Sequence, residues 1–194
     1  MTKKIFTLLA LSVTAISLAG CFAKKDTVIT PTVTGDALVE TTTPSSQSYE
    51  YKNKEKGFSF TLPTAWTFQE NVFGSLVMFF APQGEGDKIK ENLGIVTEEL
   101  TGDVQLASYF ELTKGSIESV IHDYKVEKEE AITVNGGNAM KIIYKGTEGE
   151  NKLEWQQVVT LKGTTAYIFT YTATEDTFNN FIDEVDAIIN TFTM

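Results

Sequence analysis

Between Lys125 and Ala173 the chain runs through four strand-like stretches separated by three tight-turn signals, and that pattern leaves few folds open. The stretches are Lys125–Val134, Ala139–Lys145, Leu153–Leu161 and Ala166–Ala173. In the third, Leu153, Trp155, Gln157, Val159 and Leu161 alternate with Glu154, Gln156 and Thr160; in the fourth, Tyr167, Phe169 and Tyr171 share one face and Ile168 takes the other. A period of two is a strand signal. Asn135-Gly136-Gly137-Asn138, Gly146–Asn151 and Lys162-Gly163-Thr164 lie between the stretches. Asn and Gly tolerate positive φ, which short hairpin turns require, and hairpins join antiparallel neighbours.

Upstream the same logic gives more strands. Phe58, Phe60 and Leu62 alternate with polar residues up to Pro63, and Trp66 and Phe68 continue the period and are expected to fold onto the same core. Ser75–Ala81 is apolar almost throughout and suits a central strand covered on both faces, and Asn92–Leu100 supplies another after the turn Pro82–Asp87. The period then changes. Leu106, Tyr109, Phe110, Thr113, Ile117, Val120 and Ile121 recur at steps of three and four, an amphipathic helix with Asp103 as its expected N-cap. A second helix is expected from Phe178 to Phe192, where Phe181, Ile182, Val185, Ile188 and Ile189 complete a stripe, introduced by a capping-box spacing from Thr172 to Glu175. Strands, helix, four strands, helix predicts an α+β fold of two or three layers, in which each helix buries its stripe on an antiparallel sheet.

Ahead of this domain, residues 49–194, stand two segments of a different kind. Residues 1–20 read as a secretory signal: Lys3 and Lys4, then an apolar run from Ile5 to Leu18. That run is too short to cross about 30 Å of hydrocarbon at 1.5 Å per residue. It ends in Leu18-Ala19-Gly20-Cys21, the pattern at which bacterial lipoproteins are cut between Gly20 and Cys21 and lipidated on Cys21. Residues 21–48 turn to Thr, Ser, Val, Pro and Gly, a linker whose flexible-coil span is roughly 30 Å. Within it Thr27–Leu38 alternates Thr and Val and could alternatively add a strand. The expected address is the extracytoplasmic face of the cell membrane, held by acyl chains such as palmitate, more than one of which is needed for a stable hold.

Composition excludes several activities. All sixteen basic residues are Lys, so there is no Arg fork for carboxylate or phosphate, and a single Cys excludes an internal disulfide or a thiolate metal cluster. Loss of Lys3 and Lys4 with the signal takes the net charge from −10 to −12, which argues against nucleic acid as a partner. His122 is the only imidazole. It falls at the predicted end of the first helix beside Asp123, where a structural capping role is expected. A hydrolase would have to combine it with Ser108, Ser116 or Ser119, yet there is no Gly-x-Ser-x-Gly elbow. The acidic groups Glu127, Glu129 and Glu130, then Glu148, Glu150 and Glu154, then Asp183, Glu184 and Asp186 lack EF-hand spacing. Gly84-Glu85-Gly86-Asp87 reads as an acidic turn tip rather than a calcium loop, and most aromatic residues fall at core-like periods. No catalytic residue, metal ligand or cofactor is expected.

The run from Gly57 to Trp66, Tyr167–Ala173 and the closing Thr191-Phe192 resemble the PsbP-like domain, which is shared by photosystem II extrinsic proteins, a Ran-binding nuclear import factor and many bacterial lipoproteins. The resemblance covers roughly Tyr49 to Phe192. It implies an antiparallel sheet flanked by helices, an α/β/α sandwich, and a binding or assembly role without a catalytic signature. Photosystem-binding members dock through basic and histidine residues, whereas this chain has no Arg and only His122. Two functions follow as expectations. The first is a noncatalytic envelope lipoprotein with a protein or cell-wall partner; the alternative is a domain that holds a small molecule or divalent cation, with weak enzymatic function.

Overall fold

The computed structural model describes residues 47–194. The expected signal 1–20, the expected cleavage and lipidation site at Gly20 and Cys21, the Thr27–Leu38 stretch and all but the end of the expected 21–48 linker lie outside the described residues.

Seven strands form one antiparallel sheet: β3 (Thr67–Val72), β4 (Ser75–Phe80), β5 (Asn92–Glu99), β6 (His122–Val134), β7 (Gly137–Glu148), β8 (Asn151–Lys162) and β9 (Thr165–Thr174). Their order across the sheet is β3-β4-β5-β9-β8-β7-β6. The last four form a meander whose turns follow the sequence signals. Val134 pairs with Gly137 across Asn135-Gly136, with φ of 46° and 75° at the two loop residues, the positive pair that a type I′ turn demands. Glu148 pairs with Asn151 and Lys162 with Thr165, each across a two-residue loop that begins with a positive-φ glycine, Gly149 and Gly163.

Because β5 is mid-sheet and β6 is at the far edge, the chain must cross one face to get from one to the other. The amphipathic helix α1 (Leu106–Val120) makes that crossing and buries Tyr109 and Phe110 against Ile142, Tyr144, Trp155, Val159 and Ile168. Its N-cap is Gln105, with no side-chain capping bond, in place of the expected Asp103.

The opposite face is covered differently. A two-stranded hairpin, β1 (Ser48–Asn53) with β2 (Phe58–Pro63), forms a separate sheet laid on it, beside a single 3₁₀ turn (Phe178–Asn180) and the short helix α2 (Ile182–Asn190). Phe58, Phe60 and Leu62 point into this core with Val77, Phe79, Leu93, Ile95 and Phe169, all essentially inaccessible to water. Phe192 lies 5.1 to 6.1 Å, centroid to centroid, from the rings of Phe58, Phe60, Tyr167 and Phe169. Beyond it Thr193 exchanges two backbone hydrogen bonds with Ser59.

The expected α/β/α sandwich is therefore overturned. Of the described residues 54% are strand and 18% helix, and the fold is a β-rich antiparallel one in which only one face carries a long helix. The continuous helix expected from Phe178 to Phe192 is broken at Phe181, whose φ of −127° is not helical, so α2 has nine residues and a β-hairpin supplies the rest of that layer. Thr172 is an interior residue of β9 and caps nothing. Ser75–Phe80 is one strand in from the edge, and the strands buried on both faces are β8 and β9. Trp66 is buried as expected, but Phe68 sits on edge strand β3 and is 44% exposed.

Truncation of a core Phe to Ala typically costs about 3 to 5 kcal/mol, a large part of a stability of about 5 to 15 kcal/mol. Phe192→Ala is expected to fall in that range, whereas Phe68→Ala, on the half-exposed edge, is expected to cost under about 1.5 kcal/mol. Urea unfolding of both variants measures the difference, and equal midpoints would show that Phe192 does not anchor the hairpin.

Candidate functional site

The described domain has an open cleft of about 430 Å³ at the start of β6, the end of β7 and the start of β8. Asp123, Lys125 and Glu127 line it from β6, Lys145, Gly146 and Thr147 from β7, and Lys152 from β8; Glu175, just past β9, closes the far side. Three cations and three anions thus face one hollow on a chain whose net charge is −10.

The hollow exists because β6 does not pair evenly with β7. Register shifts fall between His122 and Lys125 and between Val126 and Lys128, two bulges in succession. Asp123 takes a φ of 54° there, uncommon for a residue with a side chain, and its carboxylate accepts a hydrogen bond from the Thr147 hydroxyl at 3.1 Å. Gly146 makes the bulge possible. A β-carbon at that position would stand 2.2 Å from Ile121 Cγ2 and 2.8 Å from the His122 carbonyl, so only glycine lets the end of α1 press this closely on β7.

Within the cleft, the Lys125 ammonium donates to Glu127 at 2.7 Å, which holds the Glu127 carboxyl below its ordinary range. Lys145 stands 3.5 Å from Glu154, a carboxylate on the same face of β8. Burial raises Glu154 above the usual value, with Lys145 opposing the shift. Among the described residues Lys152 and Glu175 have no ion-pair partner, although the Glu175 amide donates to the Lys152 carbonyl at 3.3 Å.

The residues singled out from sequence are not brought together as a catalytic group. His122 opens β6 opposite Thr147 and is solvent-exposed; it does not cap α1, whose C-cap is Ile121 with its N–H on the Ile117 carbonyl. Ser108 is exposed on α1, and Ser116 and Ser119 donate their hydroxyls to the α1 carbonyls of Leu112 and Ser116 at 2.8 and 2.6 Å. A hydroxyl has one proton to give, so neither is activated by His122. Several of the acidic groups have structural partners: Glu129 with Lys114, Glu130 with Lys128 and Lys141, Asp186 with Lys141 and Gln156, and Glu184 with the Trp66 indole. Asp87 turns back to accept the Gly84 amide. Among the described residues no group of three or more His, Cys, Asp or Glu side chains is placed to hold a metal ion. The cleft itself was missed by sequence reading, which placed Gly146 in a turn from Gly146 to Asn151, whereas it lies within β7, pressed against the end of α1.

A family model described as PsbP-like protein matches residues 8–194. The chain belongs to the PsbP-like family. Among solved structures, cyanobacterial PsbP (CyanoP) from Synechocystis sp. PCC 6803 is 17% identical, with a TM-score of 0.57 over 79% of this chain and 95% of that one. LpqN, involved in cell envelope biogenesis of Mycobacterium tuberculosis, is 14% identical with a TM-score of 0.57, covering 76% and 90%. The Saccharomyces cerevisiae Ran-binding protein Mog1p is 7% identical with a TM-score of 0.55, covering 77% and 96%. Identities this low establish a shared PsbP-like fold and carry no ligand with them. No curated protein matches the sequence.

Next to the cleft, Glu148 at the end of β7 has a buried Oε2 without a hydrogen-bond partner among the described residues, and burial raises its carboxyl above the ordinary glutamate range. A carboxyl whose pKa is higher in the folded than in the unfolded state opposes folding once pH exceeds both values; the penalty disappears as pH falls through the folded value to below 4.5. Glu148→Gln is therefore expected to raise the urea midpoint at pH 7 and to leave it nearly unchanged at pH 4. A variant no more stable than the parent at pH 7 would show that Glu148 is solvated in the folded protein.

Proposed function

We propose that this protein is a lipid-anchored lipoprotein on the extracytoplasmic face of the bacterial cell membrane, whose PsbP-like domain works without catalysis, binding or assembling a partner in the envelope. The observation that carries the noncatalytic reading is the placement of its reactive side chains. The sole imidazole stands exposed on β6 while the Ser116 and Ser119 hydroxyls are committed to α1 carbonyls. Most of the acidic groups singled out from the sequence are held by lysines, a glutamine or an indole. Among the described residues no helix is long and apolar enough to cross a membrane, and the Leu18-Ala19-Gly20-Cys21 motif behind an apolar run supports a lipid on Cys21. The likeness in fold to LpqN, a protein involved in cell envelope biogenesis, supports the compartment. With no Arg and a charge of −12 once the signal is removed, the partner is a protein or cell-wall component with a neutral or basic face, and nucleic acid is disfavoured.

Fractionation and fatty-acid labelling test the anchor: Cys21→Ser is expected to abolish the label and move the protein from the membrane to the soluble fraction. His122→Ala is expected to leave partner retention from envelope membranes unchanged, and retention should weaken with salt as exposed charges become screened within about 8 to 10 Å. Label retained by the Cys21→Ser chain would refute the anchor. Loss of a stoichiometric metal or of an ester-hydrolysing turnover in His122→Ala would refute the noncatalytic reading and favour a small-molecule or cation site.

A further inference from the structure

We infer that the bulged cleft at the ends of β6 to β8 binds a small zwitterion, a free amino acid or short peptide that carries a carboxylate and an ammonium group together. This rests on the binding-domain reading above and names a ligand class for it.

The argument is one of charge placement. Across the sheet, Asp123, Lys125 and Glu127 stand on β6, Lys145 on β7, Lys152 on β8, and Glu175 just past β9. Thr147 is the register partner of both His122 and Lys152, and the Glu175 amide reaches the Lys152 carbonyl, so these positions form one row. Three strand spacings of about 4.8 Å make the row about 14 Å long. Lys152 stands inside the row with Lys145 two residues along β7, while at the β6 end Lys125 is offset by Glu127 and leaves Asp123, so the middle is cationic and both ends are net anionic.

Simple ions fit this row poorly. A divalent cation would meet the Lys125, Lys145 and Lys152 ammonium groups, and no carboxylate trio is placed to hold one among the described residues. A purely anionic ligand would meet Asp123, Glu127 and Glu175 on either side of the lysines. An apolar ligand would find a wide, charged hollow in place of apolar walls. A zwitterion satisfies both signs, its carboxylate on Lys152 and Lys145 and its ammonium on Glu175. Lys152 and Glu175 are the pair free to answer, since among the described residues neither is held in an ion pair, whereas Lys125 is tied to Glu127 and Lys145 to Glu154.

The scaffold beneath is fixed in advance. The Asp123 bulge is held by the Thr147 hydroxyl, and Gly146 locks β7 against the end of α1. A ligand therefore meets a preformed row and orders little backbone on binding. Exposed ion pairs are individually weak, so the expected affinity is millimolar, and the mark of the site is selectivity for both charges together.

The test uses the full chain in non-ionic detergent and three probes at pH 7: alanyl-alanine, its N-acetyl form and its C-terminal amide, titrated by NMR. Alanyl-alanine is expected to bind roughly tenfold more tightly than either blocked form. Lys152→Gln is expected to bind alanyl-alanine as weakly as the parent binds the amide, and Glu175→Gln as weakly as the parent binds the acetylated form. Glu175→Asp is expected to keep the preference, which separates loss of charge from loss of fold. Equal binding of the three probes, binding of none, or parental selectivity in both neutralised variants would overturn the assignment. Because the probes are small and involve no membrane, failure here leaves partner retention and the lipid anchor standing, and failure of those leaves this result standing.

Discussion

The structure depends on the burial of Phe192 among four rings. The β1–β2 hairpin is not part of the seven-stranded sheet's hydrogen-bond ladder, and a two-stranded hairpin is marginal on its own in water. What fixes it is side-chain packing: Phe58 and Phe60 from β2, Tyr167 and Phe169 from β9, and Phe192 between them. The two backbone bonds between Ser59 and Thr193, and the Thr61 amide on the Thr191 hydroxyl, set the register of that contact. One side of the sheet is thus closed by joining segments 130 to 134 residues apart in the chain. Contacts of such separation form late, because the chain entropy lost on closure precedes the burial that repays it.

That dependence explains which parts of the fold were legible in the sequence. The meander β6 to β9 was, because its turns are local: Asn135-Gly136 adopts positive φ whatever happens elsewhere in the chain. α1 was legible by its period, although its true cap lies two residues beyond Asp103, where no side chain marks it. β1, Ser-Tyr-Glu-Tyr-Lys-Asn, was not. Only Tyr51 in it is fully buried, so its apolar signal is a single residue, and its strand state comes from pairing with β2. The stripe from Phe178 to Phe192 fits one helix by spacing, yet the aromatic packing of Trp66 on Phe181 and of Tyr171 on Phe178 belongs to a break. Tertiary contacts overrode propensity at that point, and the α/β/α expectation went with it.

The candidate site shows the same limit more sharply. Its residues come from four places in the chain, and two register shifts set their alignment, so no spacing rule could have joined Asp123 to Lys152 or Glu175. The charges that were conspicuous in the sequence turned out to be structural. Lys125, Glu127, Lys128 and Glu130 pair along β6, the exposed edge of the sheet, with Lys141 joining Glu130 to Asp186 on α2. Lys128 and Lys141 hold the Glu130 carboxyl below its ordinary range, so those pairs persist to mildly acidic pH. An edge strand dressed in paired charges and interrupted by bulges resists pairing with another chain. The same bulges that guard this edge open the hollow beside it.

Reliance on lysine as the only basic residue shapes what such a hollow can recognise. An arginine fork would fix the orientation of a carboxylate through two parallel bonds, whereas an ammonium on a flexible stem acts as a mobile point charge. Three lysines against three carboxylates therefore select for the presence and rough spacing of opposite charges, and not for one molecular outline. Rigidity has to come from the backbone instead, and here it does: Gly146 admits the end of α1, the Asp123 bulge is pinned by Thr147, and β8 behind them is buried on both faces. A floor held this firmly under the Lys152 and Glu175 side chains suits a site that takes small zwitterions of varied outline, at low affinity for each.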